Sequence, residues 1–133
     1  MKSFFLSFFI LGLFNLQVNA ANHHPQIFLK SIQGTKNEGR QIYNHFCINC
    51  HDQKPLIPLG APRFQMDADW SARLKQSLPT LFDHTDEGLN GMPPRGGCFE
   101  CTDHQLILAL VAMLPKSTQK DTLKKLKDYK KIK

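Results

Sequence analysis

The sequence predicts an all-α fold, and three observations support this prediction. Apolar residues recur every three or four positions in several stretches, which is the spacing of one face of a helix. Alternating runs of β-branched residues, which would indicate strands, are scarce. Segments rich in proline and glycine separate the periodic stretches, so each helix is short. We therefore expect one domain of about four short helices around a single core.

The first 20 residues are predicted to form a secretory signal peptide that is removed. Lys2 precedes an apolar run from Phe4 to Phe14, and Ala20 stands at the predicted cleavage position. A membrane span needs roughly 20 apolar residues, and this run is much shorter. Residues 21–33 would then form a mobile N-terminus of an exported, periplasmic chain. In that compartment cysteines are oxidised or ligated rather than free.

The domain is predicted to span residues 34–115, and its first helix contains the first cysteines. Thr35 and Glu38 have the spacing of a capping box, which would begin this helix. The residues on one side of the helix are Gly39, Ile42, Tyr43, Phe46 and Cys47. Residues 52–66 are rich in proline and glycine and are predicted to form an extended loop.

Two further helices are predicted in the middle of the domain. Asp67 or Asp69 can cap the second helix, and its apolar residues recur every four positions. These apolar residues are Trp70, Leu74 and Leu78. Pro79 suits the first turn of a third helix, which would end by Gly88 or Gly91.

The last helix of the domain has the clearest pattern. Thr102 and Gln105 have the spacing of a capping box, and Pro115 would end the helix. Its apolar stripe comprises Leu106, Ile107, Leu110, Val111 and Leu114.

The net charge of +6 comes from the end of the chain rather than from the domain. Residues 21–115 contain eight Lys or Arg and nine Asp or Glu, so the domain has no basic face for nucleic acid. Residues 116–133 contain eight lysines and only two aspartates. As a helix, this tail would suit an anionic membrane surface or an acidic partner. We expect it to be a disordered, solvated extension in the free protein.

The four cysteines form two Cys-x-x-Cys pairs, Cys47 with Cys50 and Cys98 with Cys101. Two such pairs are the usual signature of a four-cysteine zinc site. The 47 residues between the pairs exceed the roughly 15 to 20 of a zinc ribbon, however. A redox-active dithiol of the thioredoxin kind is a second alternative, although no β-strand is indicated before either pair.

A third interpretation is favoured because His51 directly follows Cys50. Two thiols three residues apart lie on one helical turn, where they can add across the two vinyl groups of a porphyrin edge. The adjacent histidine can then place its imidazole under the iron. We therefore predict one haem c, covalently attached through Cys47 and Cys50. A haem would also supply the apolar bulk that a small domain of short helices lacks.

Met92 is the predicted sixth ligand of the iron. It lies between a glycine and two prolines, which fix an exposed loop that can direct one thioether inward. Met66 ends the loop after His51, and Met113 is more simply explained as core packing. The remaining histidines of the mature chain are predicted to lie on the surface or at the mobile terminus: His23, His24, His45, His84 and His104.

Five stretches together resemble a known family. They are Gly39-Arg-Gln-Ile-Tyr43, Cys47-Ile-Asn-Cys50-His51, Gly60-Ala61-Pro62, Asp69-Trp70-Ser-Ala-Arg73, and Gly91-Met92-Pro93-Pro94-Arg95-Gly96-Gly97-Cys98-Phe-Glu-Cys101-Thr-Asp103. The sequence resembles the class I c-type cytochromes, specifically the bacterial cytochrome c5 branch. The similarity extends from Gly34 to Leu114, so the lysine-rich tail lies outside it. It implies a compact cytochrome c fold in which the first and last helices cross at Gly39 and Tyr43.

The resemblance also implies the roles of site residues. His51 and Met92 would be the axial ligands of the haem iron, and Cys98 and Cys101 would form a disulfide. The Pro62 carbonyl would accept a hydrogen bond from the His51 ring and orient it. Trp70 would pack at the haem edge, where its indole can bond a propionate.

The expected function follows from the two axial ligands. An iron ligated on both faces has no open position for oxygen or peroxide, so we expect an electron carrier rather than an enzyme. The carrier would serve a respiratory or related redox chain and dock briefly with redox partner proteins. The alternatives are a haem-binding sensor, a dedicated electron-donor subunit and a zinc-stapled secreted domain.

Overall fold

The computed structural model describes residues 24–132, so the predicted signal peptide lies outside the described residues. Within that range the chain is helical and contains no strand, which confirms the all-α prediction. The α-helices are α1 (Pro25–Ile32), α2 (Glu38–Ile42), α3 (Ile48–His51), α4 (Asp67–Ser71), α5 (Leu78–Glu87), α6 (Asp103–Met113) and α7 (Lys116–Ile132). A π-helical turn at Tyr43–Cys47 joins α2 to α3, and a 3₁₀ turn lies at Arg73–Lys75. Pro94–Gly97 forms a tight turn in which Arg95 and Gly96 have non-helical, positive φ angles.

The centre of the fold is the crossing of α2 and α6. A Cβ atom added to Gly39 would lie 2.2 Å from the carbonyl oxygen of Leu108, so only glycine allows the two backbones to approach this closely. Ile42 on α2 and Ile107 on α6 are almost completely buried. The expected helix crossing at Gly39 is therefore confirmed.

One of the two predicted capping boxes is present. Gln105 donates its backbone N–H to Thr102 Oγ1 over 3.2 Å, and Thr102 donates to Gln105 Oε1 over 3.0 Å. The box predicted at Thr35 and Glu38 is wrong, because Asn37 is the N-cap of α2 and Glu38 is buried. The Glu38 carboxylate accepts instead from the Gly34 N–H and from Gln105 Nε2, which ties α2 to α6.

The second predicted helix is interrupted, whereas the third matches the prediction closely. Neither aspartate caps α4, since Asp69 accepts hydrogen bonds from Arg63 instead. The chain leaves the α-helix after Ser71 and forms a 3₁₀ turn before α5. Ser77 caps α5 by accepting from the Thr80 N–H, and Gly88 ends it with φ +86°.

The described parts of the two terminal segments form α1 and α7, although residues 21–33 were predicted to be mobile and the lysine-rich tail to be disordered. In α1 the side chains of Leu29 and Ile32 are buried. In α7 Leu126 is completely buried, and Leu123 is partly buried against the core. These apolar side chains share one side of each helix, and burying them on the domain offsets the entropy of ordering the segments. No helix of the described range is long and apolar enough to cross a membrane.

Candidate haem site

The Cys-x-x-Cys-His segment spans two kinds of helix. Cys47 ends the π-helical turn, and Cys50 and His51 belong to α3. The thiols of Cys47 and Cys50 are both free, and both side chains are partly exposed. Burial of the thiol raises the pKa of Cys47 to about 12, and the neighbouring Cys50 adds to the shift. Redox-active dithiols have lowered pKa values, so this environment argues against the thioredoxin-like alternative.

His51 is held in one orientation by the loop that follows it. Its Nδ1 lies 2.8 Å from the Pro62 carbonyl oxygen, which is the contact that the resemblance implied. Because a carbonyl can only accept, Nδ1 carries the proton and Nε2 keeps its lone pair for a metal. Burial lowers the pKa of His51, with the Pro62 bond opposing the shift. The imidazole is therefore neutral at pH 7, which is the form that binds iron.

The Pro62 loop is fastened to α4 by two residues. Arg63 binds Asp69 with two of its three side-chain nitrogens, Nε at 2.7 Å and Nη2 at 3.0 Å from the Asp69 carboxylate oxygens. These bonds lower the pKa of Asp69 to about 2. The buried Trp70 donates its indole N–H to the Arg63 carbonyl over 2.9 Å. The donor that was expected to reach a propionate thus has a backbone partner, and the indole holds the His51 side of the site.

Met92 lies in a tightly folded loop between α5 and the disulfide. The Met92 and Leu89 backbones exchange two hydrogen bonds, of 2.9 and 3.1 Å. A Cβ added to Gly88 would lie 2.6 Å from the Met92 carbonyl oxygen, so the loop packs on itself. The Met92 methyl lies 3.6 Å from the position that a Cβ of Gly96 would occupy. Cys98 and Cys101 are bonded as a disulfide and are buried.

Uncovered apolar side chains extend from the His51 loop to the Met92 loop. Four large residues there are strongly exposed: Leu56, Ile57, Leu59 and Leu89. Leu59 lies close to the position of a Gly91 Cβ, at 3.4 Å, so the two loops approach each other here. These side chains form an exposed apolar edge beside the two loops that contain the candidate ligands.

The buried hydroxyl of Tyr43 also bears on whether a haem fits this site. Its hydroxyl is buried next to the Cys-x-x-Cys-His segment and has no hydrogen-bond partner within the described range. Burial raises the pKa of Tyr43 to about 12, and Asp52 adds to the shift. An orphaned buried hydroxyl is costly and indicates a polar partner other than the chain. The thiol pair, the neutral His51 and this hydroxyl all fit a covalent haem with its polar edge groups.

The other candidate ligands lie elsewhere. Met113 is buried on α6, as expected for core packing, and Met66 precedes α4. In the described part of the chain, no group of three or more His, Cys, Asp or Glu residues is gathered to hold a metal ion. The zinc alternative would need four thiolates, and two of its cysteines are joined in the disulfide.

Arg95 also stabilises the Met92 loop, and this role was not predicted from the sequence. Its guanidinium contacts Asp86, the Cys101 carbonyl and Asp103. A signal was present, because Arg95 is a single basic residue between prolines and glycines with acidic residues on both sides in sequence.

Comparison with known proteins identifies the family. The family model for "Cytochrome C oxidase, cbb3-type, subunit III" matches residues 34–111. Cytochrome c5 of Azotobacter vinelandii is 33% identical over 82 residues, covering 60% of this chain and 95% of the relative. Cytochrome c5 of Ectopseudomonas mendocina is 31% identical over 85 residues, covering 62% and 94%. Cytochrome c-555 of Chlorobaculum tepidum is 31% identical over 83 residues, covering 59% and 74%.

The fold and these matches define a small all-α haem protein of the cytochrome c class. The chain belongs to the class I monohaem c-type cytochromes, as the resemblance implied. Members of this family carry a covalently bound haem c, typically attached through two cysteines. The protein is thus an electron-transfer protein and not an enzyme.

Proposed function

We propose that the chain is an exported, periplasmic electron carrier of a respiratory or related redox chain. Its haem c is attached through Cys47 and Cys50, and His51 and Met92 are the axial ligands. The observation that carries this proposal is the pair of free thiols directly before a buried, neutral histidine whose Nδ1 is fixed by the Pro62 carbonyl. The haem, when bound, supplies one-electron exchange between ferric and ferrous iron.

The residues of the chain set the conditions for that exchange. Pro62 fixes the tautomer and the ring orientation of His51. As a ligand, the neutral Met92 thioether would favour the ferrous state of the iron and raise its reduction potential. With His51 and Met92 both bound, the iron would have no open position for oxygen or peroxide. Trp70 supports the histidine side by bonding the Arg63 carbonyl.

Docking of redox partners is proposed at the apolar surface between the two loops. Leu56 and Leu59 are 81% and 58% exposed on the His51 loop, and Leu89 lies on the other side. Exposed apolar side chains at a site edge suit brief encounters that bury little surface. Cys47 and Cys50 are partly exposed, so a haem attached through them would have an edge accessible to a docking partner.

The lysines of α7 are proposed to form a second docking surface. Lys116, Lys120, Lys124 and Lys125 are exposed, whereas Leu126 of the same helix is completely buried. Because Leu123 and Leu126 of α7 pack on the domain, these two side chains are unavailable to enter lipid. We therefore favour an acidic partner protein over an anionic membrane. Replacing Lys120, Lys124 and Lys125 with glutamine should weaken partner association and reduce its dependence on salt; unchanged, salt-insensitive association would exclude this surface.

The disulfide between Cys98 and Cys101 is proposed to have a local role. It closes a loop of four residues, which is too short to remove much entropy from the unfolded chain. Its effect is to fix the chain directly after the Met92 loop, at the start of α6.

A dedicated electron-donor subunit is the second candidate function. The observation in its favour is the description of the matching family model, which refers to a subunit of an oxidase. A free carrier should exchange electrons rapidly with several partners, whereas a dedicated subunit should co-purify with one enzyme. A partner pull-down combined with a potentiometric titration separates the two.

The axial ligation is tested by replacing Met92 with alanine in the mature holoprotein. The haem should stay attached in a denaturing gel, because the thioether bonds to Cys47 and Cys50 are unaffected. The ferric iron–thioether charge-transfer absorption should disappear. Persistence of that absorption would exclude Met92 as the ligand, and a colourless protein would exclude the haem.

A further inference from the structure

Arg95 connects the Met92 loop to both helices that flank it. Its guanidinium donates to the Asp86 carboxylate near the end of α5. On the other side, Nη2 donates to the Cys101 carbonyl over 2.6 Å and to Asp103, at the start of α6, over 3.3 Å. One side chain thus bridges α5, the disulfide turn and α6. Charge-assisted bonds of this kind are stronger than bonds between neutral groups.

The loop contains a backbone conformation that is unfavourable in isolation. Arg95 has φ +58°, and Gly96 and Gly97 continue with φ +59° and +83°. The left-handed region is unfavourable for a residue with a Cβ, so Arg95 adopts it only because surrounding contacts require it. Those contacts include the three acceptors of the guanidinium and the Cys98 N–H, which donates to the Arg95 carbonyl over 3.1 Å. Only 21% of the Arg95 side chain is exposed, so water competes weakly for its bonds.

The conformation at Arg95 determines the surroundings of Met92. Gly96 donates its backbone N–H to the Pro93 carbonyl over 3.0 Å, which closes the turn that begins next to Met92. The Met92 methyl lies 3.6 Å from the position that a Cβ of Gly96 would occupy, so Gly96 is next to the Met92 side chain. A change of backbone angles at Arg95 would move Gly96 relative to that side chain.

We infer that Arg95 is a positioning residue that holds Met92 in its ligating position. This inference rests on the proposed function, in which Met92 is an axial ligand. Without the three-sided attachment, the loop spends a larger fraction of time in conformations with Met92 withdrawn. An external ligand that competes with Met92 then binds more tightly, since less free energy is needed to open the loop.

Imidazole binding to the ferric holoprotein measures that opening directly. Arg95→Gln removes the charge and the fork of donors, and we expect imidazole to bind about tenfold more tightly, which corresponds to about 1.4 kcal/mol. Arg95→Lys keeps the charge but cannot reach three acceptors at once, so it should fall between wild type and Arg95→Gln. Lys36→Gln, which removes one exposed positive charge from a residue before α2, should leave the affinity unchanged.

A general loss of stability must be separated from local loosening of the loop. Leu126→Ala truncates a completely buried side chain on α7 and should lower the unfolding midpoint without tightening imidazole binding. If Arg95→Gln does not fold, Asp86→Asn takes its place, and about threefold tighter binding is expected from losing one acceptor charge.

The outcomes distinguish this inference from the function on which it rests. A wild-type holoprotein without the ferric iron–thioether absorption would overturn both. Wild-type absorption together with unchanged imidazole affinity in Arg95→Gln, or in Asp86→Asn if the first variant is unfolded, would overturn the inference alone. Equal tightening by Leu126→Ala would also overturn it, because the effect would then be one of global stability.

Discussion

The two sides of the haem site are supported by different kinds of interaction. On the His51 side, the proposed ligand and its neighbours Phe64 and Trp70 are buried and joined by bonds to backbone carbonyls. On the Met92 side, the proposed ligand is partly exposed, and the loop includes several residues with positive φ. It is held by a three-residue ion-pair cluster and a disulfide.

This difference indicates which of the two proposed ligands, His51 or Met92, can be displaced by an external ligand such as imidazole. Core packing can only be lost together with the fold, so the histidine side should remain intact until the protein unfolds. Polar contacts around a strained loop can open locally at a lower free energy. We therefore expect mutations on the His51 side to act on global stability and mutations on the Met92 side to act on ligation.

The largest effect is expected for Phe64→Ala on the His51 side. The Phe64 ring lies 4.5 Å from the Tyr43 ring and under the Arg40 guanidinium, and its backbone N–H donates to the His51 carbonyl. Removing the ring should lower the free energy of unfolding by about 4 kcal/mol because it leaves a cavity in the core. Denaturant unfolding measures the loss. The folded variant should keep its ferric iron–thioether absorption. Loss of that absorption before unfolding would contradict the expectation that mutations on the His51 side act only on global stability.

Gly88→Ala should have the next largest effect and should act on ligation. The new Cβ would lie 2.6 Å from the Met92 carbonyl oxygen, at a φ of +86° that side chains rarely adopt. We expect a loss of about 3 kcal/mol in unfolding free energy together with loss of the thioether absorption.

Gly34→Ala is the matched control for Gly88→Ala. Gly34 has φ +77°, but no atom lies within 4 Å of its Cβ position, so only backbone strain is introduced. This variant should lose about 1 kcal/mol of unfolding free energy and keep the absorption. If both variants lose the absorption equally, crowding at Met92 is not the cause.

Removal of the disulfide should have a smaller effect on stability. Replacing Cys98 and Cys101 with alanine should lower the free energy of unfolding by about 2 kcal/mol, since the closed loop is short. Imidazole should also bind more tightly, because the disulfide fixes the turn whose carbonyl accepts from Arg95. A stability loss without any change in imidazole affinity would separate the disulfide from the Met92 loop.

A feature of this fold could be predicted from the sequence where it depends on neighbouring residues, and not where it depends on residues far apart in the chain. Gly39, the Thr102 and Gln105 capping box and the α5 boundaries were predictable because each depends on local spacing or on a motif. Glu38 was assigned to a cap, although its carboxylate bonds Gln105, 67 residues further along the chain. Contacts over such a distance depend on the tertiary fold and are not visible in local patterns.

In the terminal helices and in the site, too, the features that depend on long-range contacts were not predicted. Leu29 and Leu126 are buried only because the domain provides surfaces for α1 and α7, which is why the sequence alone predicted a mobile N-terminus and a disordered tail. The Cys47, Cys50 and His51 motif was visible in the sequence. The hydrogen bond of Trp70 to Arg63 and the support of Met92 by Arg95 were not, because they depend on how loops fold back on the helices.

The smallest effect is expected at the ion pair between Arg63 and Asp69, which is partly exposed and fastens the His51 side from outside. The hydrogen bond from Arg63 lowers the pKa of Asp69 from its ordinary 3.8 to about 2. A lowered carboxylate pKa stabilises the fold above the unfolded-state pKa, and this contribution is lost as the pH falls from about 4 to about 2. Arg63→Gln should flatten the pH dependence of the unfolding midpoint in that window and leave imidazole affinity unchanged at pH 7. Tighter imidazole binding in this variant would show that the two sides of the site are coupled, and the proposed division between them would then fail.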